Sequence, residues 1–141
     1  MNAANLTLQL KNDLEELESL TAGVETFCGL HGFHPRDNFE MTLVLDEIFT
    51  NIISYGFRDD EEHIIRIDLA REEDRIIIRV EDDGAPFDPT KATDEKKTCS
   101  LEKCRIGGLG LHLINRIMSR VKYKRKKGRN ILVLEKRLAE G

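Results

Sequence analysis

Hydrophobic and polar positions of this 141-residue chain alternate with two different periods, which divide it into elements. Apolar residues at every second position of 5–11 predict a strand, and apolar residues at helical spacing from 13 to about 30 predict an amphipathic helix. A second helix is expected from about Pro35 to Tyr55, because proline suits a first helical turn and Gly56 suits a helix end. The first part of the chain is therefore a strand followed by two helices.

The rest of the chain predicts two hairpins separated by a loop and a helix. Strands are expected at 64–70 and 75–81, with a charged turn between them. The pattern loses its period at about 87–106, and a polar segment of this length is typical of a lid over a ligand or of a disordered loop. A third helix is expected at 109–120, followed by a basic hairpin. This order predicts an α/β two-layer sandwich with helices on one face of a mixed, mostly antiparallel sheet.

The composition indicates one globular domain over residues 1–141. Hydrophobic residues make up 40% and charged residues 34% of the chain, which is ordinary for a soluble protein. No apolar run approaches the roughly 18 residues that a membrane span needs, and the first residues do not resemble an export signal. Three cysteines without an export signal favour reduced thiols. We therefore expect a cytoplasmic protein with no membrane association.

The net charge of −4 is unevenly distributed. Residues 1–100 contain 10 basic and 23 acidic side chains, whereas residues 101–141 contain 12 basic and 3 acidic ones. Seven of the ten residues at 120–129 are basic, which is compatible with nucleic-acid binding. Because Val121 and Tyr123 alternate with lysines, a strand with one hydrated face is the favoured interpretation, and nucleic acid is the weaker alternative.

The second helix carries a first candidate motif, Glu47 and Asn51. At 100° per residue the two side chains project in nearly the same direction, at the border of the apolar face. An amide oxygen is a suitable ligand for Mg²⁺, and a carboxylate can take a proton from a hydroxyl nucleophile. Two boundary residues that share a local hydrogen bond would give the same pattern.

A second candidate motif follows the strand at 75–81. Asp82 lies where the strand ends, and a carboxylate there can accept a hydrogen bond from the exocyclic amine of adenine. Gly84 would let the backbone pass close to the base. An ordinary turn explains the fragment as well.

A third candidate motif opens the last helix with Gly107, Gly108 and Gly110. Exposed amide groups and the helix dipole at such a place favour a phosphate, although a simple helix entry is an equal alternative. Arg105 could reach the phosphates from the preceding segment. Taken together, the three motifs would supply the parts of one Mg-ATP site.

In this order and spacing the motifs resemble the N, G1 and G2 boxes of the GHKL ATPase/kinase superfamily. The resemblance implies the Bergerat ATP-binding fold along nearly the whole chain, with a lid at about 87–106. Pro86 departs from the general G1 box, but Gly-x-Pro-Phe-Asp-Pro resembles the variant of the anti-sigma-factor serine/threonine kinases.

This resemblance implies an ATP- and Mg²⁺-dependent protein serine kinase that acts on a STAS-domain anti-anti-sigma partner, with a sigma factor as a further partner and a homodimer as the assembly. It makes Glu47 the catalytic base, Asn51 the Mg²⁺ ligand, and the remaining candidates the nucleotide contacts: Asp82, Gly84, Pro86, Arg105, Gly107, Gly108, Leu109 and Gly110. The alternative is a non-catalytic ATP-binding module that sequesters a partner. Glu47 favours the kinase, since a pure binder has less need of a carboxylate there.

Overall fold

The computed structural model of the protein describes residues 5–88 and 109–139. The strands in these ranges are β1 (Leu6–Lys11), β2 (Ile64–Glu72), β3 (Arg75–Asp82), β4 (Arg120–Lys126) and β5 (Arg129–Arg137). The α-helices are α1 (Leu17–His31), α2 (Pro35–Gly56) and α3 (Leu109–Ile117).

The strands form one sheet in the order β1-β2-β3-β5-β4. All four of the described strand pairs are antiparallel. The predicted α/β class is confirmed, while the described part of the sheet contains no parallel pair. Because β5 lies between β3 and β4, the last strand of the chain is the direct neighbour of the strand that ends at Asp82, and Asp82 is opposite Asn130.

The hydrophobic core lies between the helices and one face of the sheet. Alternate residues of β2, β3 and β5 are buried on this face, as a strand with one covered face requires. The helices contribute residues at helical spacing, among them Leu20, Val24, Phe27, Met41, Leu45 and Phe49. The core therefore fixes which face of α2 points inward.

One ion-pair cluster is buried at the start of α2. Lys136 of β5 is 3% exposed, and its Nζ lies 2.6 Å from Asp37 Oδ1 and 2.9 Å from Glu40 Oε1. The Asp37 carboxylate also accepts a hydrogen bond from the backbone N–H of Ala139 at 3.1 Å. Burial lowers the pKa of Lys136, but its bonds to the two carboxylates outweigh burial and raise that pKa overall.

The predicted element boundaries differ from the structure at two helices. The first helix begins with a 3-10 turn at Leu14–Glu16, because the Asp13 side chain accepts from the Glu15 N–H and sets a tight start. The third helix ends at Ile117 rather than near Arg120, because Arg120 pairs with Glu135 in the sheet. The predicted lid at about 87–106 lies, beyond Asp88, outside the described residues.

Both hairpin turns have two residues. Glu73 in the first and Lys127 and Gly128 in the second have φ values of 58°, 52° and 77°. Positive φ at the turn matches the right-handed twist of the flanking strands, and glycine adopts it without steric cost. Among the residues that the structure describes, no helix is long and apolar enough to cross a membrane.

Candidate nucleotide-binding site

The site is built first from the second half of α2, where Asn51 is 2% exposed. Neither its Oδ1 nor its Nδ2 has a hydrogen-bond partner within the described ranges. A buried amide without partners costs about 1–3 kcal/mol, so proteins rarely keep one without a ligand or water to satisfy it. Asn51 is therefore a candidate ligand-binding residue.

Glu47 lies one turn before Asn51 and is half-buried. Burial is the main cause that raises the pKa of Glu47; the neighbouring Asn51 amide acts in the opposite direction, and Asp46 raises it further. The two side chains are thus near each other, although no hydrogen bond of standard geometry joins them. A carboxylate with a raised pKa is a stronger base than an exposed one, as a proton acceptor in catalysis requires.

Asp82 and Gly84 form the second part of the site, at the end of β3. Asp82 is 3% exposed, and its Oδ2 accepts hydrogen bonds from the N–H of Gly84 at 2.8 Å and from Nδ2 of Asn130 at 3.1 Å. Burial raises the pKa of the Asp82 carboxyl, and these bonds only partly offset it. The other carboxylate oxygen, Asp82 Oδ1, takes part in neither bond. Because both bonds hold Oδ2, they also fix the orientation of the carboxylate and the position of Oδ1.

Gly84 is required by a close backbone approach to the end of α2. A Cβ at this position would lie 2.7 Å from the carbonyl oxygen of Gly56 and 2.9 Å from Asp82 Oδ2. The next residue donates the Ala85 N–H to the Gly56 oxygen at 2.7 Å. The need for glycine predicted at position 84 is therefore explained by contact with the protein's own backbone.

Three residues of the last hairpin complete this part of the site, and sequence reasoning missed them. Asn130 donates to Ala85 O at 2.9 Å as well as to Asp82, while Tyr123 donates its O–H to Asn130 Oδ1. Arg125 donates to Gly84 O at 2.7 Å. The pairing of β3 with β5 brings Asn130 opposite Asp82, and the pairing of β5 with β4 brings Arg125 of the basic stretch opposite Asn130, which periodicity along the chain does not show.

A cavity joins these groups. Asn51, Asp82 and Asn130 provide its polar positions, and the remaining lining is mostly apolar, with Ile48, Ile52, Val80, Phe87 and Leu132 among its side chains. A mostly apolar cavity with a few convergent polar groups is the usual form of a site for a small-molecule ligand or cofactor. The structure therefore brings Asn51 and the Asp82 segment to one place, as the sequence predicted.

The other candidate residues have different positions. Pro86 is exposed, between Ala85 and Phe87, which both line the cavity. The ring of Phe87 stacks against Tyr55 with centroids 5.9 Å apart. Arg105, Gly107 and Gly108 lie outside the described residues, and Leu109 and Gly110 are the first two residues of α3.

Part of the basic stretch at 120–129 contacts the protein itself. Arg125 contacts Gly84, and Arg129 forms an ion pair with Glu81 on the sheet face opposite the helices. Lys122 and Lys124 are exposed on β4. This arrangement agrees with the hydrated hairpin that the alternation predicted.

Comparison with known proteins places the chain in one family. Residues 10–136 match the histidine kinase-like ATPase domain, and the chain belongs to that family. The GHKL resemblance predicted from the three motifs is thus confirmed.

Relatives within the family carry kinase names. The serine/threonine-protein kinase BtrW of Bordetella bronchiseptica is 33% identical over 99 residues, which cover 70% of each chain. The serine-protein kinase RsbW of Listeria monocytogenes is 27% identical over 132 residues, covering 91% of this chain and 84% of its own. A solved structure of the SiaB-SiaC complex from Pseudomonas aeruginosa has a TM-score of 0.54 at 19% identity and covers 93% of this chain and 88% of that chain, which shows a shared fold.

Proposed function

We propose that this protein is an ATP-dependent protein serine kinase that acts in the cytoplasm on a STAS-domain anti-anti-sigma partner. The observation that carries the proposal is the pair formed by Glu47, a half-buried carboxylate with a raised pKa, and Asn51, a buried amide that has no hydrogen-bond partner among the described residues. The kinase names of the relatives support the same activity. The partner class rests on the resemblance of the G1 box.

The residues present fit a bound Mg²⁺ ion. The unpartnered Asn51 Oδ1 is a hard oxygen ligand, of the type that Mg²⁺ prefers alongside water and phosphate oxygens. When bound, Mg²⁺ neutralises charge on the phosphates. Asn51 would hold the ion, and its side chain is already ordered for this by burial on α2.

Asp82 would recognise adenine. Its Oδ2 is held by Gly84 and Asn130, so the carboxylate is oriented before the ligand arrives. A carboxylate accepts a hydrogen bond from the 6-amino group of adenine, whereas the 6-oxo group of guanine offers only an acceptor. This arrangement favours ATP over GTP.

Two glycines before α3, Gly107 and Gly108, would bind the phosphates together with Gly110, and Leu109 and Arg105 would add further contacts. Gly110 is the second residue of α3, and the start of a helix attracts anions.

The lid at 87–106 and a homodimer remain predictions. If hydrogen exchange at 87–106 becomes slower when nucleotide binds, this result would support the lid.

Glu47 would then act on the protein substrate. Its carboxylate takes the proton of a serine hydroxyl while the serine oxygen forms a bond to the terminal phosphorus of ATP. The bond from that phosphorus to the oxygen bridging to ADP breaks, and ADP leaves. Burial of Glu47 raises its pKa and so increases its affinity for this proton.

The test is the variant Glu47→Gln, which keeps size and hydrogen bonding but cannot take a proton. We expect nucleotide affinity close to that of the unchanged protein and a loss of phosphoryl transfer of about 10²- to 10⁴-fold. The measurement is transfer of radiolabelled phosphate from ATP to serine of a STAS protein.

Asp46→Asn is the matched control. It removes the neighbouring half-buried carboxylate, which lies 100° around the helix from Glu47 and is the smaller of the two causes that raise the pKa of Glu47, so transfer should be retained with a small change in its pH dependence. If the unchanged protein binds its STAS partner only with ATP yet never phosphorylates it, the protein is an ATP-dependent binding module and not a kinase.

A further inference from the structure

His63 is held between two carboxylates in the loop just before β2. Its Nε2 lies 2.8 Å from Asp59 Oδ1, and its Nδ1 lies 3.1 Å from Asp83 Oδ1. The ring stacks on Phe57 with centroids 4.2 Å apart and planes at 16°. The backbone N–H of His63 donates to Asn12 Oδ1 at 2.8 Å. These contacts fix the ring in position, and its side chain is only 16% exposed.

The surroundings of the ring favour its protonated form. A neutral imidazole has one N–H and can donate to one carboxylate, whereas the imidazolium donates to both. Three carboxylates face the ring: Asp59 and Glu61 from the same loop, and Asp83 from the end of β3. The basic group nearby on β1, Lys11, is paired with Glu62 at 3.6 Å.

Hydrogen bonding to Asp59 is the main cause that raises the pKa of His63 above its usual 6.5; desolvation lowers it, and the bond to Asp83 raises it further. The bridge to both carboxylates is therefore complete at and below pH 6.5. It is lost as the pH rises through the raised pKa, because one N–H disappears.

The bridge ends on the segment 82–85, which carries the proposed adenine site. The same segment is attached to the end of α2 by the hydrogen bond from Ala85 N to Gly56 O. The segment 82–85 is thus contacted on both sides of the loop at 57–63: by Gly56, the last residue of α2, and by the ring of His63 at the end of the loop. The first contact is between backbone groups and does not titrate, whereas the second depends on a proton.

We propose that His63 is a positioning residue of the nucleotide site: its imidazolium holds Asp83, and with it the Asp82–Ala85 segment, in the arrangement that receives adenine. The proposal rests on the proposed nucleotide binding by Asp82. When the ring is neutral, a smaller fraction of molecules has this arrangement, and the apparent dissociation constant increases in proportion. Nucleotide affinity therefore falls between pH 6 and pH 9.

The test is the dissociation constant of Mg-ADP measured by calorimetry from pH 6 to pH 9, for the unchanged protein and for His63→Gln. ADP avoids turnover, and its own phosphate ionisation cancels when the two proteins are compared at each pH. We expect the dissociation constant of the unchanged protein to rise roughly threefold to tenfold relative to the variant over this range, as expected for the net contribution of one hydrogen bond to a partly exposed carboxylate.

Two further variants separate positioning from folding. Asp83→Asn removes the carboxylate on the nucleotide side and should abolish the same pH dependence. His34→Gln alters a histidine that caps the start of α2, and this variant should keep the pH dependence of the Mg-ADP dissociation constant. Melting temperatures of all four proteins are recorded in parallel.

The possible results are distinct. A His63→Gln protein that melts at lower temperature but keeps the pH profile of the unchanged protein would show that His63 only stabilises the fold, and the proposal would be wrong. Failure of the unchanged protein to bind Mg-ADP at every pH would overturn nucleotide binding itself and this proposal with it. Binding at pH 6 that weakens at pH 9 only when His63 and Asp83 are present supports the proposal.

Discussion

The buried polar groups at the two ends of α2 differ in their hydrogen-bond and ion-pair partners. Near its start, Asp37 is 1% exposed and is paired with Lys136 and the Ala139 N–H. Near its end, Asn51 is 2% exposed, and both of its polar atoms lack partners within the described chain. Burial is nearly equal at the two ends, so burial alone does not distinguish them. The difference lies in whether the chain itself provides the partners.

This difference is the basis for proposing a structural role for Asp37 and a binding role for Asn51. A buried charge paired on all sides stabilises one arrangement of the chain and leaves nothing for a ligand to gain. A buried amide without partners costs free energy in the free protein, and a ligand that supplies the missing partners recovers it. Asp46 also has one unpartnered oxygen, Oδ1, but its side chain is half-buried, so among residues 5–88 and 109–139 only Asn51 combines full burial with two unpartnered atoms.

The largest effect is expected at the paired end. Lys136→Met removes the cation and leaves Asp37 and Glu40 without it, so the free energy of unfolding should fall by about 3–5 kcal/mol. Urea denaturation measures this loss. Where the variant remains folded, its Mg-ATP affinity should equal that of the unchanged protein, because the cluster does not line the nucleotide cavity. A loss of affinity without a loss of stability would reverse the roles assigned to the two ends.

A different outcome is expected at the unpaired end. Asn51→Leu replaces an unsatisfied amide by an apolar side chain beside Ile48 and Ile52, so the free energy of unfolding without nucleotide should stay the same or rise. Nucleotide at 100 times its dissociation constant stabilises a binding protein by about 2.7 kcal/mol. The variant should lose the Mg²⁺-dependent part of this gain in a melting experiment with and without Mg-ATP. A variant that is clearly destabilised and still binds Mg-ATP normally would identify Asn51 as a core residue.

A smaller effect is expected at two neighbouring carboxylates on β3, Glu81 and Asp82. Ion pairs outweigh burial at Glu81, whereas burial outweighs hydrogen bonds at Asp82. Burial raises the pKa of Asp82 above 3.8 despite its hydrogen bonds. Burial acts in the same direction on Glu81, but bonds to Arg129 and Arg79 outweigh it and lower the pKa of Glu81 below 4.5. Glu81 therefore stabilises the fold above pH 4.5 and loses this contribution as the pH falls through its lowered pKa. Below pH 3.8 the buried Asp82 carboxyl does not change the free energy of unfolding through its ionisation. As the pH rises from 3.8 through the raised pKa, ionisation of Asp82 lowers the free energy of unfolding.

The measurement is the free energy of unfolding of Glu81→Gln and Asp82→Asn relative to the unchanged protein, from pH 3 to pH 7. Stability of Asp82→Asn should increase relative to the unchanged protein as the pH rises, and stability of Glu81→Gln should decrease. Parallel trends in the two variants would contradict the conclusion that burial outweighs hydrogen bonding at Asp82 and that ion pairs outweigh burial at Glu81.

Sequence periodicity was sufficient to predict the helices and strands and to predict which side chains of one helix or strand point in the same direction. Helical spacing placed Glu47 and Asn51 on one side of α2, and the structure has them one turn apart at the edge of the core. The end of the β-rich run located Asp82 at the end of β3. These predictions depend only on local geometry, since the repeat of a helix or strand fixes which side chains point together.

Contacts across elements were not available from periodicity. Asn130 is 48 residues from Asp82 along the chain, and the two meet because β5 lies between β3 and β4. His63 reaches Asp83 because the loop after α2 returns beside the end of β3. No spacing in the sequence encodes either distance.

By itself, then, the sequence determined the class of fold, the inward face of each element and the candidate residues within each motif, because hydrophobic burial imposes the period of the local backbone on the sequence. Only the tertiary structure decided which of these residues have partners. Strand order and loop return gave Asp37 a buried lysine and gave Asp82 an asparagine, and they left Asn51 without a partner in the part of the chain that the structure describes. Satisfaction of a buried polar group depends on atoms that are distant in the chain, and packing of the whole core brings them together.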